Sequence, residues 1–413
     1  MPNAAPSRTP RVLYCTDTYP PQVNGVSVVT ALSVRGLRAR GWEVVVVAPR
    51  YPRSLPDAFD QHRDGRHRER IVGVASVPLP VYPDIRLAAP DVRTVVNEVR
   101  RFRPDLIHCA TEFVLGRMGQ RAAIRAGIPL VSSYHTDFAR YTVAYGAGWL
   151  RGPVTRYIAR FHSRSRRVLT PSAPARDDLR RMGIQHAVVW GRGVDIETFD
   201  PSRRSAPLRD AYGSRDTCIF LHVGRLAAEK GVDCILQAYA RARALVPAGT
   251  MHLVIAGSGP KEPELRAKAP EGVTFLGNLD RETVLPRLYA SCDAFVFSSL
   301  TETLGLVILE AMASGLPVIA TPAGGVADHL IDGVNGIAYP PRDVDALTRA
   351  MVAIALDAGR RTHLGAVARA TAVGLSWDAE LDRLDAIYRD VCHMAPATAE
   401  VAATDAAGLF ASR

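Results

Sequence analysis

From Arg11 onward, short β-branched runs alternate with stretches of helical spacing, and the alternation is carried through twice. Strand-like runs fall at Arg11–Cys15, Val44–Ala48, Val72–Val77, Leu106–His108, Leu130–Tyr134, Val168–Thr170 and Ala187–Val189, with amphipathic stretches at Thr30–Arg40 and Asp91–Arg103. A second set follows at Ile219–Val223, Leu253–Ala256, Thr274–Leu276, Ala294–Phe297, Val318–Ala320 and Gly336–Tyr339. Strands spaced by helix-length segments return through crossovers, so the pattern predicts an α/β chain with two doubly wound parallel sheets. Its 413 residues exceed what one hydrophobic core usually serves, which also argues for two domains. Tandem domains of this kind are expected to face each other across an interdomain cleft, with ligands at the carboxyl ends of the strands.

The expected boundaries follow composition. Residues 1–10 and 394–413 read as a disordered head and tail, 11–200 as the first domain and 201–376 as the second. The polar, Pro-containing stretch Asp200–Ser214 is the expected linker. Helical spacing at Leu381, Leu384, Ile387, Tyr388 and Val391 predicts a last helix over 377–391, which completes the first domain.

Composition excludes several classes. No apolar run approaches the ~18 residues of a membrane span, and Met1–Pro10 lacks the apolar core of a signal peptide, so a cytoplasmic location is expected. Six scattered cysteines offer no C-x-x-C and no neighbouring His pair, which indicates neither a disulfide framework nor a zinc site. The net charge of +10 is concentrated: residues 100–181 carry sixteen Arg against five acids. Within them, Arg151–Arg167 holds six Arg and no acid beside Val154, Tyr157, Ile158 and Phe161. That composition suits a helix lying on an anionic membrane surface, or a solvated basic face in an Arg-rich chain. No nucleic-acid partner is expected, and the oligomeric state is left open.

Four segments at strand ends carry candidate chemistry. After Ile219–Val223 come Gly224, Arg225 and Lys230, two cations five residues apart across a strand-to-helix turn. An Arg fork and a Lys point charge can clamp adjacent phosphates and stabilise a departing diphosphate, or each can pair with a nearby carboxylate. In Thr301–Met312, the run beyond Gly305 is apolar except at Glu310, the mark of a buried helix bearing one carboxylate. Two ribose hydroxyls would satisfy Glu310, and so would a core Arg. Glu302 precedes that helix, where the amides of Thr303, Leu304 and Gly305 can receive phosphate or sugar oxygens; the alternative is that Glu302 caps the helix. In Asp17–Val26, Gly25 would let backbone approach a phosphate, but one Gly is not G-x-G-x-x-G, which argues against a dinucleotide site. His135 follows the run Pro129–Tyr134, as a satisfied structural residue or a functional one. Gly257-Ser-Gly259 lacks the G-K-[ST] of a phosphate loop, and Asp343-Val344-Asp345 reads as a helix cap rather than a metal-binding D-x-D.

With those residues in view, the chain from about Arg11 to Val391 resembles family 4 of the retaining glycosyltransferases. The most specific stretch runs from Tyr289 through Ser299, Glu302-x7-Glu310 and Ala311-Met-Ala-Ser-Gly-Leu-Pro-Val-Ile-Ala; Val223–Gly231, Gly191–Asp195 and Tyr134–Phe138 support it. The resemblance implies the GT-B fold of two facing Rossmann-like domains. It implies Arg225 and Lys230 on the donor diphosphate, Glu310 on the nucleotide ribose, Glu302 on donor-sugar hydroxyls with Thr303, Leu304, Gly305 and Leu306 supplying backbone contacts, and His135 beside the transferred sugar. Gly25 falls in the loop that closes over donor and acceptor, and Gly277-Asn278-Leu279 where the nucleobase edge is read. The acceptor side is assigned to Asp17, Asn24, Asp137 and Tyr141. Two positions depart from the common pattern: Asn24 stands where many members have a first glycine, and Leu304 where many have Phe. The subgroup of similar motifs includes GDP-mannose-dependent α-mannosyltransferases and sulfoquinovosyl or glucosyl diacylglycerol synthases. The implied reaction moves a hexose, with retention and without metal or other cofactor, from a GDP- or UDP-sugar to a lipid or glycolipid acceptor such as diacylglycerol, by a peripheral protein at the inner membrane face. A nucleotide-sugar epimerase or hydrolase of the same fold, or a silent nucleotide-sugar- or lipid-binding protein, are the alternatives.

Overall fold

The computed structural model describes residues 8–22, 24–51, 70–79, 82–138, 142 and 146–393; the expected tail at 394–413 and most of the expected head lie outside them. In the first half the strands are β1 (Arg11–Cys15), β2 (Glu43–Pro49), β3 (Arg70–Val74), β4 (Ser76–Leu79), β5 (Tyr82–Ala88), β6 (Leu106–Cys109), β7 (Leu130–Ser133), β8 (Arg167–Thr170) and β9 (Ala187–Val189). Seven of them form one sheet in the order β3-β2-β1-β6-β7-β8-β9. The continuous run Val44–Ala48 suits such a sheet because both faces of β2 are covered. The expected strand Val72–Val77 divides at Ala75: β3 stays with the parallel sheet, while β4 pairs antiparallel with β5. The run Tyr82–Ala88 contains Pro83 and Asp84, which hid β5 from a propensity reading.

The second half holds β10 (Cys218–Val223), β11 (Met251–Ala256), β12 (Val273–Gly277), β13 (Ala294–Phe297), β14 (Val318–Ala320) and β15 (Gly336–Ala338), all paired in parallel. Their order, β12-β11-β10-β13-β14-β15, reverses direction between β10 and β13. Connections leaving two adjacent strands in opposite directions open a crevice at their carboxyl ends, the usual ligand position in such a sheet. One apolar layer on this sheet includes Leu221, Phe295, Ile308 and Met312, another Phe220, Ile235, Leu253 and Met351.

Contact density groups 1–133, 164–168 and 382–413 into one unit, and 134–163 with 169–381 into the other. The first unit includes the end of helix Trp377–His393, where the Tyr388 hydroxyl meets the Tyr14 hydroxyl at 2.7 Å and bonds to His108 Nδ1. Residues 134–163 and 169–200, expected with the first domain, group with the second. One of their ties is the Asp328 carboxylate, which accepts from the Ala173 amide at 2.8 Å and pairs with Arg192 at 3.3 Å. The stretch expected as a bare linker contains a 3-10 turn, Pro201–Arg203, and a short helix, Ala206–Asp210. Among the described residues no helix is long and apolar enough to cross a membrane.

Candidate functional site

Two loops leave the reversal point of the second sheet, one after β10 and one after β13. The first carries Gly224, Arg225 and a 3-10 turn, Ala228–Lys230, and the second carries Thr301–Gly305. Hydroxyls at the end of β13 fasten the first loop: Ser298 Oγ lies 2.8 Å from the Lys230 carbonyl, and Ser299 Oγ 3.3 Å from that of Glu229. From the other side Leu226 donates to the Ser258 carbonyl at 2.9 Å, and its own carbonyl accepts from Lys261 at 2.9 Å. A Cβ on Gly257 would stand 2.0 Å from the Gly224 carbonyl oxygen, and one on Gly259 2.3 Å from that of Leu226. Gly257-Ser-Gly259 is thus a prop that lets backbone press against the cation loop.

The loops meet through charge. The Lys230 ammonium hydrogen bonds to the Glu302 carboxylate, 72 residues away, and lies 5.9 Å from the centre of the Phe297 ring. Arg225 pairs with Glu229, whose side chain is 0% exposed. Both cations therefore have carboxylate partners, and Lys230 finds Glu302 rather than the adjacent Glu229. An ammonium has three donors and a guanidinium five, so each keeps capacity for a phosphate oxygen. Glu302 is not a helix cap: Gly305 stands at the N-cap of helix Leu306–Ala313, with no side-chain cap bond. Its loop is set by Gly324 and Gly325, which sequence reasoning missed. A Cβ on either would fall 2.0 Å from the Glu302 carbonyl oxygen or 2.2 Å from that of Thr303, and the Gly325 amide donates to Glu302 at 2.9 Å.

Glu310 is 2% exposed on that helix. Its Oε1 accepts from Arg281, including Nε at 3.1 Å, and its Oε2 accepts from the Tyr289 hydroxyl at 3.1 Å. The core-Arg alternative is therefore realised. These three bonds take three of a carboxylate's roughly four acceptor positions, which leaves one for a ribose hydroxyl. Arg281 also lies 5.2 Å from the Phe199 ring centre. Neither periodicity nor motif pointed to Arg281, because its partner is 29 residues away. Of the segment assigned to the nucleobase, Asn278 is exposed and Leu279 packs partly against the core. Leu304 is buried and Leu306 partly so.

Thr303 donates its hydroxyl to the His135 carbonyl, bringing that segment to the Glu302 loop. Burial, with the nearby His162, pushes the His135 imidazole from its ordinary 6.5 down to about 4, so it is neutral at pH 7. Beside it Tyr134, Asp137, Ser172, Asp178, Thr301, Glu302 and Thr303 line one pocket. Pro174, Ala175 and Gly324 complete the wall of this small hollow, which sets the Glu302 loop beside the His135 segment.

In the first unit Asp17 follows β1 at a second reversal of strand order, between β1 and β6. Its carboxylate accepts from the Leu115 amide at 2.8 Å and the Thr111 hydroxyl at 2.6 Å, closing the start of helix Val114–Ala126. Burial raises its pKa above the ordinary value despite those bonds. Asn24 caps helix Gly25–Ala39 through the Ser27 amide at 2.9 Å. A side chain at Gly25 would meet nothing within 4 Å, so open space borders that helix start. Tyr141 lies outside the described residues. Asp343 accepts from the Ala346 amide at 2.8 Å, as a cap does.

The basic helix is observed as Arg151–His162, but Ile158 and Phe161 are buried against protein. These two apolar residues face the core, and Tyr157 stays on the exposed side. Arg151, Arg156, Arg160 and Arg164 are exposed with Tyr157, and Trp149 is 78% exposed.

The family described as "Glycosyltransferase Family 4" matches residues 23–198, and "Glycosyl transferases group 1" matches 217–357. A GDP-mannose-dependent alpha-mannosyltransferase of Mycolicibacterium smegmatis is 36% identical over 92% of this chain and 97% of its own. The sulfoquinovosyl transferase SQD2 of Arabidopsis thaliana is 32% identical over 85% of this chain and 68% of its own. Among solved structures, Anabaena HepE in complex with UDP-glucose superposes with a TM-score of 0.72 at 21% identity, over 92% of this chain and 99% of that one. With both family models matched in succession and a relative aligned over nearly its whole length, the chain belongs to glycosyltransferase family 4 and has the GT-B fold of two Rossmann-like domains.

Proposed function

We propose that this glycosyltransferase moves a hexose, from GDP-mannose or a UDP-sugar, to a lipid or glycolipid acceptor at a membrane surface, with retention and without metal or other cofactor. The observation that carries the reading is the junction of Lys230 with Glu302 beside Arg225, at the reversal of the second sheet. Arg225 and Lys230 take the charge that develops on the departing diphosphate, the task a metal ion would otherwise perform. Glu302 accepts from the sugar hydroxyls, while Glu310 reaches the ribose. The acceptor attacks from the face the diphosphate leaves, and a diphosphate oxygen takes its proton. The relatedness to a GDP-mannose-dependent alpha-mannosyltransferase supports a sugar nucleotide as donor.

A thermal-shift panel of GDP, UDP and their sugars tests the donor, since a ligand at a hundredfold its Kd adds about 2.7 kcal/mol of stability. Turnover measured with and without a chelator tests metal independence, and the anomeric configuration of the product tests retention. For the membrane, exposed Trp149 and the outward Arg row support docking through charge and one aromatic anchor. Arg156→Glu with Arg160→Glu is expected to abolish co-sedimentation with phosphatidylglycerol vesicles; unchanged sedimentation removes the helix from the proposal.

A further inference from the structure

His222 sits in β10 with no exposed surface, and no role above uses it. Its Nδ1 lies 3.1 Å from the Val296 carbonyl. A carbonyl can only accept, so Nδ1 carries the hydrogen and, in a neutral ring, Nε2 carries a lone pair. Burial holds the ring neutral, lowering it from 6.5 to about 4; the Val296 bond opposes that, Lys230 reinforces it and Glu302 opposes it. Nε2 is buried and has no hydrogen-bond partner. A Cβ on Gly224 would lie 3.5 Å from Nε2 and 4.0 Å from the Phe297 ring, so the lone pair looks toward the backbone where the cation loop leaves the strand. The Phe297 ring stacks on the imidazole at 5.8 Å and also neighbours the Lys230 ammonium. The charged groups acting on the ring are thus Lys230 from the turn and Glu302 from the facing loop. A buried acceptor without a partner is costly, and its position beside a binding loop points to use.

We propose that His222 is a positioning residue for Lys230, its Nε2 accepting from the ammonium when a donor sugar's hydroxyls compete for Glu302. The inference rests on the donor-site reading above. In this structure Glu302 holds the ammonium. A sugar drawing on the same carboxylate loosens that hold, and a neutral acceptor on the strand side keeps the charge aimed at the diphosphate without neutralising it.

The test is a double-mutant cycle on nucleotide-sugar affinity, read by calorimetry with GDP-mannose and UDP-glucose on wild type, His222→Phe, Lys230→Met and the double variant. Phe keeps the stacking and removes the lone pair. We expect His222→Phe to weaken binding about tenfold when Lys230 is present and not further when it is Met. His222→Gln, which places an amide oxygen near the position of Nε2, should keep most of the affinity and covers the case in which the Phe variant does not fold. Wild-type affinity should also fall as the pH approaches about 4 and Nε2 becomes protonated, a fall the Gln variant lacks. Equal losses in both Lys230 backgrounds, or no loss from Phe, overturn the proposal. If wild type binds neither nucleotide sugar, the donor-site reading falls first and takes His222 with it.

Discussion

Arg225 and Lys230 are alike in sequence logic but not in what their removal does to the fold. Either substitution to Ala is expected to lower kcat by roughly 10²–10³, the usual cost of losing one preorganised stabiliser of developing charge. Arg225→Ala also withdraws a guanidinium from Glu229, whose side chain is 0% exposed, so it should melt earlier than wild type. Adding Glu229→Gln should recover melting temperature but not turnover. Recovery of both would mean that Arg225 serves only its carboxylate. Lys230 and Glu302 are partly solvated, at 15% exposure each, and Lys230→Ala should cost turnover far more than stability.

Among elements, the two glycine pairs act as spacers for the loops that bear the charges. A Cβ on Gly324 meets the Glu302 carbonyl oxygen at 2.0 Å, and its φ of +59° already disfavours a side chain. Gly324→Ala is expected to destabilise by about 1–3 kcal/mol and to lose more donor affinity than Gly259→Ala, which pushes on the backbone of Leu226 in the cation loop rather than on a charged residue. Melting curves beside calorimetric affinities separate the two effects; equal affinity in all three proteins would sink the account. In the first unit, Tyr388→Phe strips the Tyr14 and His108 partners of a buried hydroxyl and should cost about 1–3 kcal/mol. Strands were legible where apolar residues ran without interruption, as in β10 and β13. β5 was not, because Pro83 and Asp84 break its run and its place depends on pairing with β4.

For the whole molecule, buried histidines couple stability to pH. His222 and His329 are each held near 4 by burial, against an ordinary 6.5. Between those values the unfolded chain binds protons that the folded one does not. Their contribution is fully present above about pH 6.5 and is lost on acidification toward 4, at up to about 1.4 kcal/mol per pH unit for each fully shifted group. His135 shifts the same way, to about 4, and adds to the decline. Asp17 acts in the opposite sense just above its ordinary value, since its folded form holds a proton more tightly. Denaturant unfolding between pH 7 and pH 4.5 should show the decline, and His329→Gln should flatten it.

Local physics sufficed for part of this protein. Alternating runs and crossovers imply parallel sheets whatever surrounds them, and an apolar helix with a single carboxylate demands a buried partner for Glu310. Partner identity is a different kind of fact. Lys230 to Glu302, Glu310 to Arg281, and Gly324 against the Glu302 carbonyl join residues 22 to 72 positions apart. No periodicity encodes such distances; they exist only once the strand order of the second sheet brings together the loops that follow β10, β12, β13 and β14. The same holds for the helix Arg151–His162, whose apolar spacing suited a membrane equally well until packing turned Ile158 and Phe161 inward.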